Sequence, residues 1–140
     1  MSDPAATATA NATADAPALS VVEGYVATWN ETDAARRLAA ITKLWAASGR
    51  YRDPLMAGDG PAGIDAMIAG VQGRFPGMVL KRTSKVDAHN GAGDCYVRFS
   101  WSLGPAAGPA IVEGVDFGTL SPDGRLAAIV GFIDKMPAAA

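Results

Sequence analysis

The order of patterns along this chain predicts an α+β domain, with three helices first and a meander of antiparallel strands after them. Two observations carry that prediction. Up to Phe75 the large apolar residues recur at helical spacing, whereas beyond Pro76-Gly77 they alternate at every second residue. Turn signals then punctuate the second half at Asn90-Gly91, at Gly104 to Pro109 and at Ser121-Pro122-Asp123-Gly124. A long, twisted sheet with one apolar face needs a cover, and the N-terminal helices supply it. A cavity is expected between the two layers.

Each element follows in turn. Residues 1–17 read MSDPAATATANATADAP, with no large apolar residue after Met1. Such a stretch buries too little surface to offset its ordering entropy, so a disordered tail is expected. The first helix should begin near Ala18 or Leu19, with Leu19, Val22, Val26 and Trp29 as its core stripe. Asn30-Glu31-Thr32-Asp33 breaks the pattern and supplies cap residues for a second helix. Leu38, Ile41, Leu44 and Trp45 form the buried face of that helix, and Gly49 is a natural stop. A short extended piece, Tyr51-Arg52-Asp53, ends at Pro54, which disfavours helix in the residue before it. Pro61 fits the first turn of a third helix starting at Asp59 or Gly60, lined inside by Ile64, Met67, Ile68, Val71 and Phe75.

The first strand is expected from Met78 to His89, turning at Asn90-Gly91, the strongest short hairpin signal. The second runs from Cys95 to Leu103, where Val97, Phe99, Trp101 and Leu103 alternate with Tyr96, Arg98, Ser100 and Ser102. The third spans about Ala110 to Leu120 and the last Arg125 to Ile133. The domain therefore covers residues 18–134, with residues 135–140 as a C-terminal tail.

Composition narrows the function. A chain of 140 residues, 49% apolar, is one domain with enough material for one core. A net charge of −2 gives no broad footprint for nucleic acid or anionic lipid. The lone Cys95 excludes an intrachain disulfide. No apolar run is long enough to cross a membrane, and the N-terminus lacks the basic and apolar regions of a secretory signal. A cytoplasmic protein is expected. His89 is the only histidine and sits at a hairpin edge, so no metal site is expected, and no glycine-rich phosphate loop follows a strand. No cofactor is called for.

Three segments place proton-handling side chains in apolar settings: Tyr25 in YVATWN, Asp53 in YRDP and Asp116 in GVDF. Asp116 shares its strand face with Val112, Gly114, Gly118 and Leu120. A carboxyl there is expensive unless neutral or hydrogen-bonded, and desolvation favours the protonated form. For Asp53 two readings stay open, a side chain capping the Asp-Pro corner and a carboxylate facing the cavity. Tyr25 lies beside the first helix's stripe. On residues alone, the leading reading is a structural tyrosine with its hydroxyl in water.

In order and spacing these segments resemble the ketosteroid isomerase branch of the NTF2-like superfamily, which also holds the SnoaL-like polyketide cyclases. The resemblance covers roughly residues 18–134. It implies a cystatin-like cone, three helices on a curved antiparallel sheet around a pocket. It also implies roles: Asp53 as general base, and Tyr25 and Asp116 as donors to an oxyanion, Asp116 as a neutral acid. Trp29, Trp45, Met56, Val97, Phe99 and Trp101 fall where a substrate-binding wall is expected. In that branch, tyrosines on helices two and three support the oxyanion tyrosine; here Trp45 and Ile68 take their places. The aromatic that closes the pocket near the C-terminus is replaced by Phe132-Ile133.

Three functions fit these residues. One is enolisation of a small, apolar, carbonyl-bearing molecule, an intramolecular double-bond shift of the isomerase type. Another is a non-catalytic small-molecule-binding domain. The third is a SnoaL-like cyclase or hydratase. The resemblance also implies a homodimer paired through its sheets.

Overall fold

A computed structural model of the protein describes residues 4–137, with side chains from Ala16 onward. Helices α1 (Pro4–Asn30) and α2 (Ala34–Leu44) come first, followed by strands β1 (Trp45–Arg52) and β2 (Ala57–Asp59) and helix α3 (Gly60–Arg74). Strands β3 (Met78–Arg82), β4 (Asp87–Gly91), β5 (Asp94–Pro105), β6 (Val112–Leu120) and β7 (Leu126–Lys135) complete the chain. One sheet holds all the strands in the order β2-β1-β7-β6-β5-β3, with β4 also paired to β5. The three helices cover its concave face, giving the expected α+β cone.

Several elements differ from expectation, each for a physical reason. Helix α1 begins at Pro4 rather than near Ala18, so the backbone of residues 4–17, expected as a tail, is helical. Alanine, the strongest helix former, makes up half of this stretch and Pro4 fits a first turn, so the helix continues back from the core-facing residues of α1. The rest of the expected N-terminal tail, residues 1–3, and residues 138–140 of the C-terminal one lie outside the described residues. The buried stripe of α1 is Ala18, Val22, Tyr25 and Trp29, while Leu19 faces out. Helix α2 stops at Leu44, and Trp45 opens β1. Gly49 therefore sits within β1, at an irregularity of register against β7. The β1–β7 pairing is parallel, the one departure from an antiparallel sheet.

The expected first strand is two strands. Arg82 pairs with Trp101 and Asp87 with Arg98, so residues 83–86 face only Phe99 and Ser100. The surplus bulges out and bends the sheet. The hairpin turn falls at Ala92-Gly93, two residues past the Asn90-Gly91 signal. Both residues take positive φ, 53° and 89°, as a tight hairpin requires. Asn90 and Gly91 are spent in β4, paired with Cys95 and Asp94. No helix among the described residues is long and apolar enough to cross a membrane.

Alternation along β6 is strict: Val112, Gly114, Asp116, Gly118 and Leu120 are buried, with exposed or half-buried residues between. Gly114 lies opposite Trp101 on β5. A Cβ there would come within 2.2 Å of the Phe132 carbonyl oxygen and 2.4 Å of the Trp101 ring. The missing side chain lets the indole lie flat across β6.

Gly114→Ala should therefore lower stability by about 2–3 kcal/mol, because a backbone oxygen cannot swing aside. Urea denaturation measures it. Gly70→Ala is the control, since a Cβ there meets nothing within 4 Å. Equal stability of the two variants would contradict the packing described.

Candidate active site

Tyr25 projects from the inner face of α1 and is 1% exposed. Its ring meets Trp45 and Phe99 edge-on, at centroid distances of 6.2 and 5.8 Å. These contacts leave the hydroxyl one direction to point, and it donates to Asp116 Oδ2 at 3.0 Å. The reading with the hydroxyl in water is thus corrected. The helical stripe runs through Tyr25 itself, because Ala18, Val22, Tyr25 and Trp29 follow one face.

Asp116 is 3% exposed, in the middle of the sheet, opposite Phe99 on β5 and Gly131 on β7. Trp101 reaches across Gly114 and donates its indole N–H to Asp116 Oδ1 at 3.0 Å. Burial pushes the Asp116 carboxyl up to about 7; the bonds from Tyr25 and Trp101 oppose the rise and the charge of Asp53 adds to it. Indole nitrogen only donates, so Oδ1 is held as an acceptor. When Asp116 is neutral its proton therefore sits on Oδ2, facing Tyr25. The 3.0 Å contact then runs in reverse, and the phenolic proton is free to donate elsewhere. Burial first, and then the Asp116 charge, hold the Tyr25 phenol well above its ordinary range, so it stays protonated.

Asp53 satisfies both readings left open by the sequence. Its Oδ1 caps the corner, accepting from the Leu55 and Met56 amides at 2.7 and 2.9 Å. Its Oδ2 accepts from the Tyr51 hydroxyl at 2.8 Å. Arg52 points the other way and pairs with Asp59 at 2.8 Å. Gly131 is where the groups meet. A Cβ there would lie 2.8 Å from Asp116 Oδ1, and 3.3 Å from both the Asp53 Cβ and the Tyr51 hydroxyl. Tyr25, Asp53 and Asp116 accordingly border one cavity of about 130 Å³.

Of the residues expected on the wall, Trp29, Met56 and Trp101 border this cavity. Trp45, Val97 and Phe99 do not. They are 0%, 3% and 1% exposed and form the layer beneath. Trp45 was displaced by its move from α2 to β1. Val97 and Phe99 lie toward the other end of β5, under α1, while Trp101 and Leu103 reach the cavity.

Tyr51 was missed. It is 3% exposed, borders the cavity, and is held strongly protonated by burial and by the Asp116 and Asp53 charges. The signal was available, since residues two apart on a strand share a face and Tyr51 precedes Asp53 by two. Trp45 and Ile68 are fully buried and offer Tyr25 no hydroxyl. Near the C-terminus Phe132 faces outward, and Ile133 borders the cavity instead. No group of three His, Cys, Asp or Glu among the described residues is placed to hold a metal ion.

A helix-covered, curled sheet with a buried carboxyl, two phenols and an edge carboxylate around an apolar cavity defines the class: an NTF2-like cone with acid–base groups at its centre. No family model and no curated protein matches the chain. Solved structures do. A SnoaL-like family protein of Agrobacterium tumefaciens, named as a candidate isomerase, is 38% identical with a TM-score of 0.78. The match covers 85% of this chain and 98% of that one. An NTF2-like superfamily protein of Salmonella enterica aligns at TM-score 0.68 and 14% identity, over 92% of this chain and 94% of that one. A cystatin-like protein of Nostoc punctiforme aligns at 0.69 and 10% identity, over 85% and 90%. The last two show the fold alone. The chain belongs to the SnoaL-like family.

The raised Asp116 predicts a pH-dependent stability of definite sign. The unfolded carboxyl ionises near 3.8 and the folded one near 7, so between those values the folded state binds the extra proton. Stability should fall as pH rises across that window, by up to about 4 kcal/mol, and level off above it. Urea unfolding at pH 4 and pH 8, with Asp116→Asn alongside, isolates this contribution. One shared pH profile for wild type and variant would rule out this contribution from Asp116.

Proposed function

We propose that the cavity binds a small, apolar, carbonyl-bearing molecule and enolises it. The observation that carries this reading is the buried Asp116 carboxyl, hydrogen-bonded by Trp101 on one oxygen and by Tyr25 on the other, at an apolar cavity that Asp53 also borders. Asp53, as carboxylate, removes a proton from the carbon next to the carbonyl. The electron pair moves into the new carbon–carbon double bond, and the negative charge collects on oxygen. Neutral Asp116 donates to Tyr25, and Tyr25 donates to that oxygen, a stabilisation exerted where water is excluded. Protonated Asp53 then returns its proton at a different carbon, which shifts the double bond and restores the base. Tyr51 holds Asp53 in place through its 2.8 Å hydrogen bond. The isomerase name of the Agrobacterium relative fits this chemistry.

A second reading has its own support. With Trp45 and Ile68 in place of hydroxyl-bearing residues, Tyr25 has fewer partners holding it than an oxyanion donor usually has. In that case the same cavity binds its ligand without converting it.

An absorbance assay on a β,γ-unsaturated ketone separates the two. Conversion to the conjugated enone is expected, slower by about 10²–10⁴-fold in Asp53→Asn and by about 10²–10³-fold in Tyr25→Phe. The rate should decline as pH rises through about 7, where Asp116 ionises and turns Tyr25 back toward itself. Binding of a phenolic enolate mimic with no conversion would leave the non-catalytic reading.

We also propose a homodimer paired through the convex face of the sheet. Val115 lies opposite Phe132 and Phe117 opposite Val130, forming a contiguous apolar patch on β6 and β7. Phe117 and Phe132 are 42% and 51% exposed and meet edge-on at 5.8 Å. A patch of that kind on a sheet face marks an interaction surface. Light scattering should give twice the 14.3 kDa chain mass, and Phe132→Glu should halve it. A wild-type mass of one chain would refute the pairing.

A further inference from the structure

Resting on the proposed reading of the cavity, we infer that its ligand carries an anionic group, a carboxylate or its equivalent, held at the rim by Arg74. The cavity is polar at one end and apolar along its walls. Its ionisable floor consists of Tyr25, Tyr51, Asp53 and Asp116, and its walls are apolar. Among the described residues, Arg74 is the only cation that borders it. Its position is opposite in character to the floor, because Arg74 is solvent-exposed whereas Asp116 is fully buried. Leu55 and Met136, 61% and 49% exposed, share that rim.

The ion-pair pattern singles out Arg74 a second time. Every other arginine of the chain lies within 4.0 Å of a carboxylate. Among the described residues Arg74 has no such acid, and its guanidinium lies over the ring of Phe75, 6.0 Å from the centroid. Phe75 itself borders the cavity. The stacking holds the fork at the mouth while leaving its N–H donors unclaimed. Placement in the last turn of α3 is itself favourable to a cation, so the helix does not need a carboxylate to keep Arg74 there. What it leaves is a positioned donor set beside apolar surface.

The two acids at the floor decide how such a ligand lies. A carboxylate near Asp53 would meet like charge, and beside the buried Asp116 it would lose its solvation. Its carboxylate must therefore stay at the Arg74 end, with the apolar body along the walls and the carbonyl at Tyr25. The ligand class is an acid whose enolisable carbonyl is separated from its carboxylate by an apolar spacer. Arg74 is then a specificity residue that orients the carbonyl and takes no part in proton transfer.

Two phenols of similar bulk test this, since a phenol stands in for the enolate oxygen at Tyr25. One is 4-propylphenol, and the other is 3-(4-hydroxyphenyl)propanoate, which adds a carboxylate at the far end. Titration calorimetry on the full chain should show the acid binding about tenfold more tightly than the neutral phenol at low salt, the preference shrinking as salt is added. Arg74→Ala and Arg74→Gln should abolish the preference while leaving the neutral phenol within about twofold of wild type. Equal binding of the two probes by wild type, or an equal loss for both in the variants, would overturn the inference. Binding of neither probe would overturn the cavity reading on which it rests, so the two failures are told apart by the neutral phenol alone.

Discussion

The buried carboxyl of Asp116 is the constraint around which the rest of the molecule is arranged. A carboxyl in the middle of a sheet, almost without solvent contact, is tolerable only if its oxygens are partnered and its charge suppressed. Both conditions are met. Trp101 holds one oxygen and Tyr25 the other, and burial keeps the group protonated to near neutral pH. The same arrangement sets a carboxyl and a phenol 3.0 Å apart, within a layer of side chains that would otherwise be plain core.

That constraint reaches into the backbone. Trp101 can approach Asp116 only because the residue opposite it is Gly114. Asp116 has room for its own oxygens because Gly131 faces it on β7. Gly118 continues the row, with Ile129 and Val97 closing over it. Small residues along the concave face let the strands curl, and the bulge at residues 83–86 adds to the bend. Helix α1 then lays its stripe into the concavity, and Tyr25 arrives at hydrogen-bond distance from the carboxyl. Cavity, curvature and acid are thus consequences of one packing solution.

Much of this was legible in the sequence, because side-chain parity on a strand is rigid. The inward direction of Asp116 and the alternation from Val97 to Leu103 followed from a period of two. The helices followed from apolar spacing, although the ends did not. Alanine-rich residues 4–17 carry no apolar pattern, so apolar spacing does not reveal that helix α1 extends back through them. Trp45 reads as the end of a helical stripe because position and hydrophobicity do not distinguish a helix's last residue from a strand's first. The hairpin slipped by two residues because register is set by pairing along the whole of β5, which outweighs a local turn preference at Asn90-Gly91. At the site, the meeting of Tyr25 with Asp116 spans 91 residues of chain and depends on the cone closing. Tyr51 was the avoidable omission, since its parity with Asp53 needs no tertiary information.

The most direct test of the central claim is a titration of the Asp116 carboxyl itself. Carbon-13 NMR of protein labelled at the aspartate carboxyls, assigned by comparison with Asp116→Asn, follows that one group through pH. A midpoint near 7 is expected, with a further displacement in Tyr25→Phe, where one hydrogen-bond partner is lost. A midpoint near 4 would mean that Asp116 is an ordinary, ionised carboxylate. Tyr25 would then be held as a donor to it, and the proton source at the floor of the cavity would not exist.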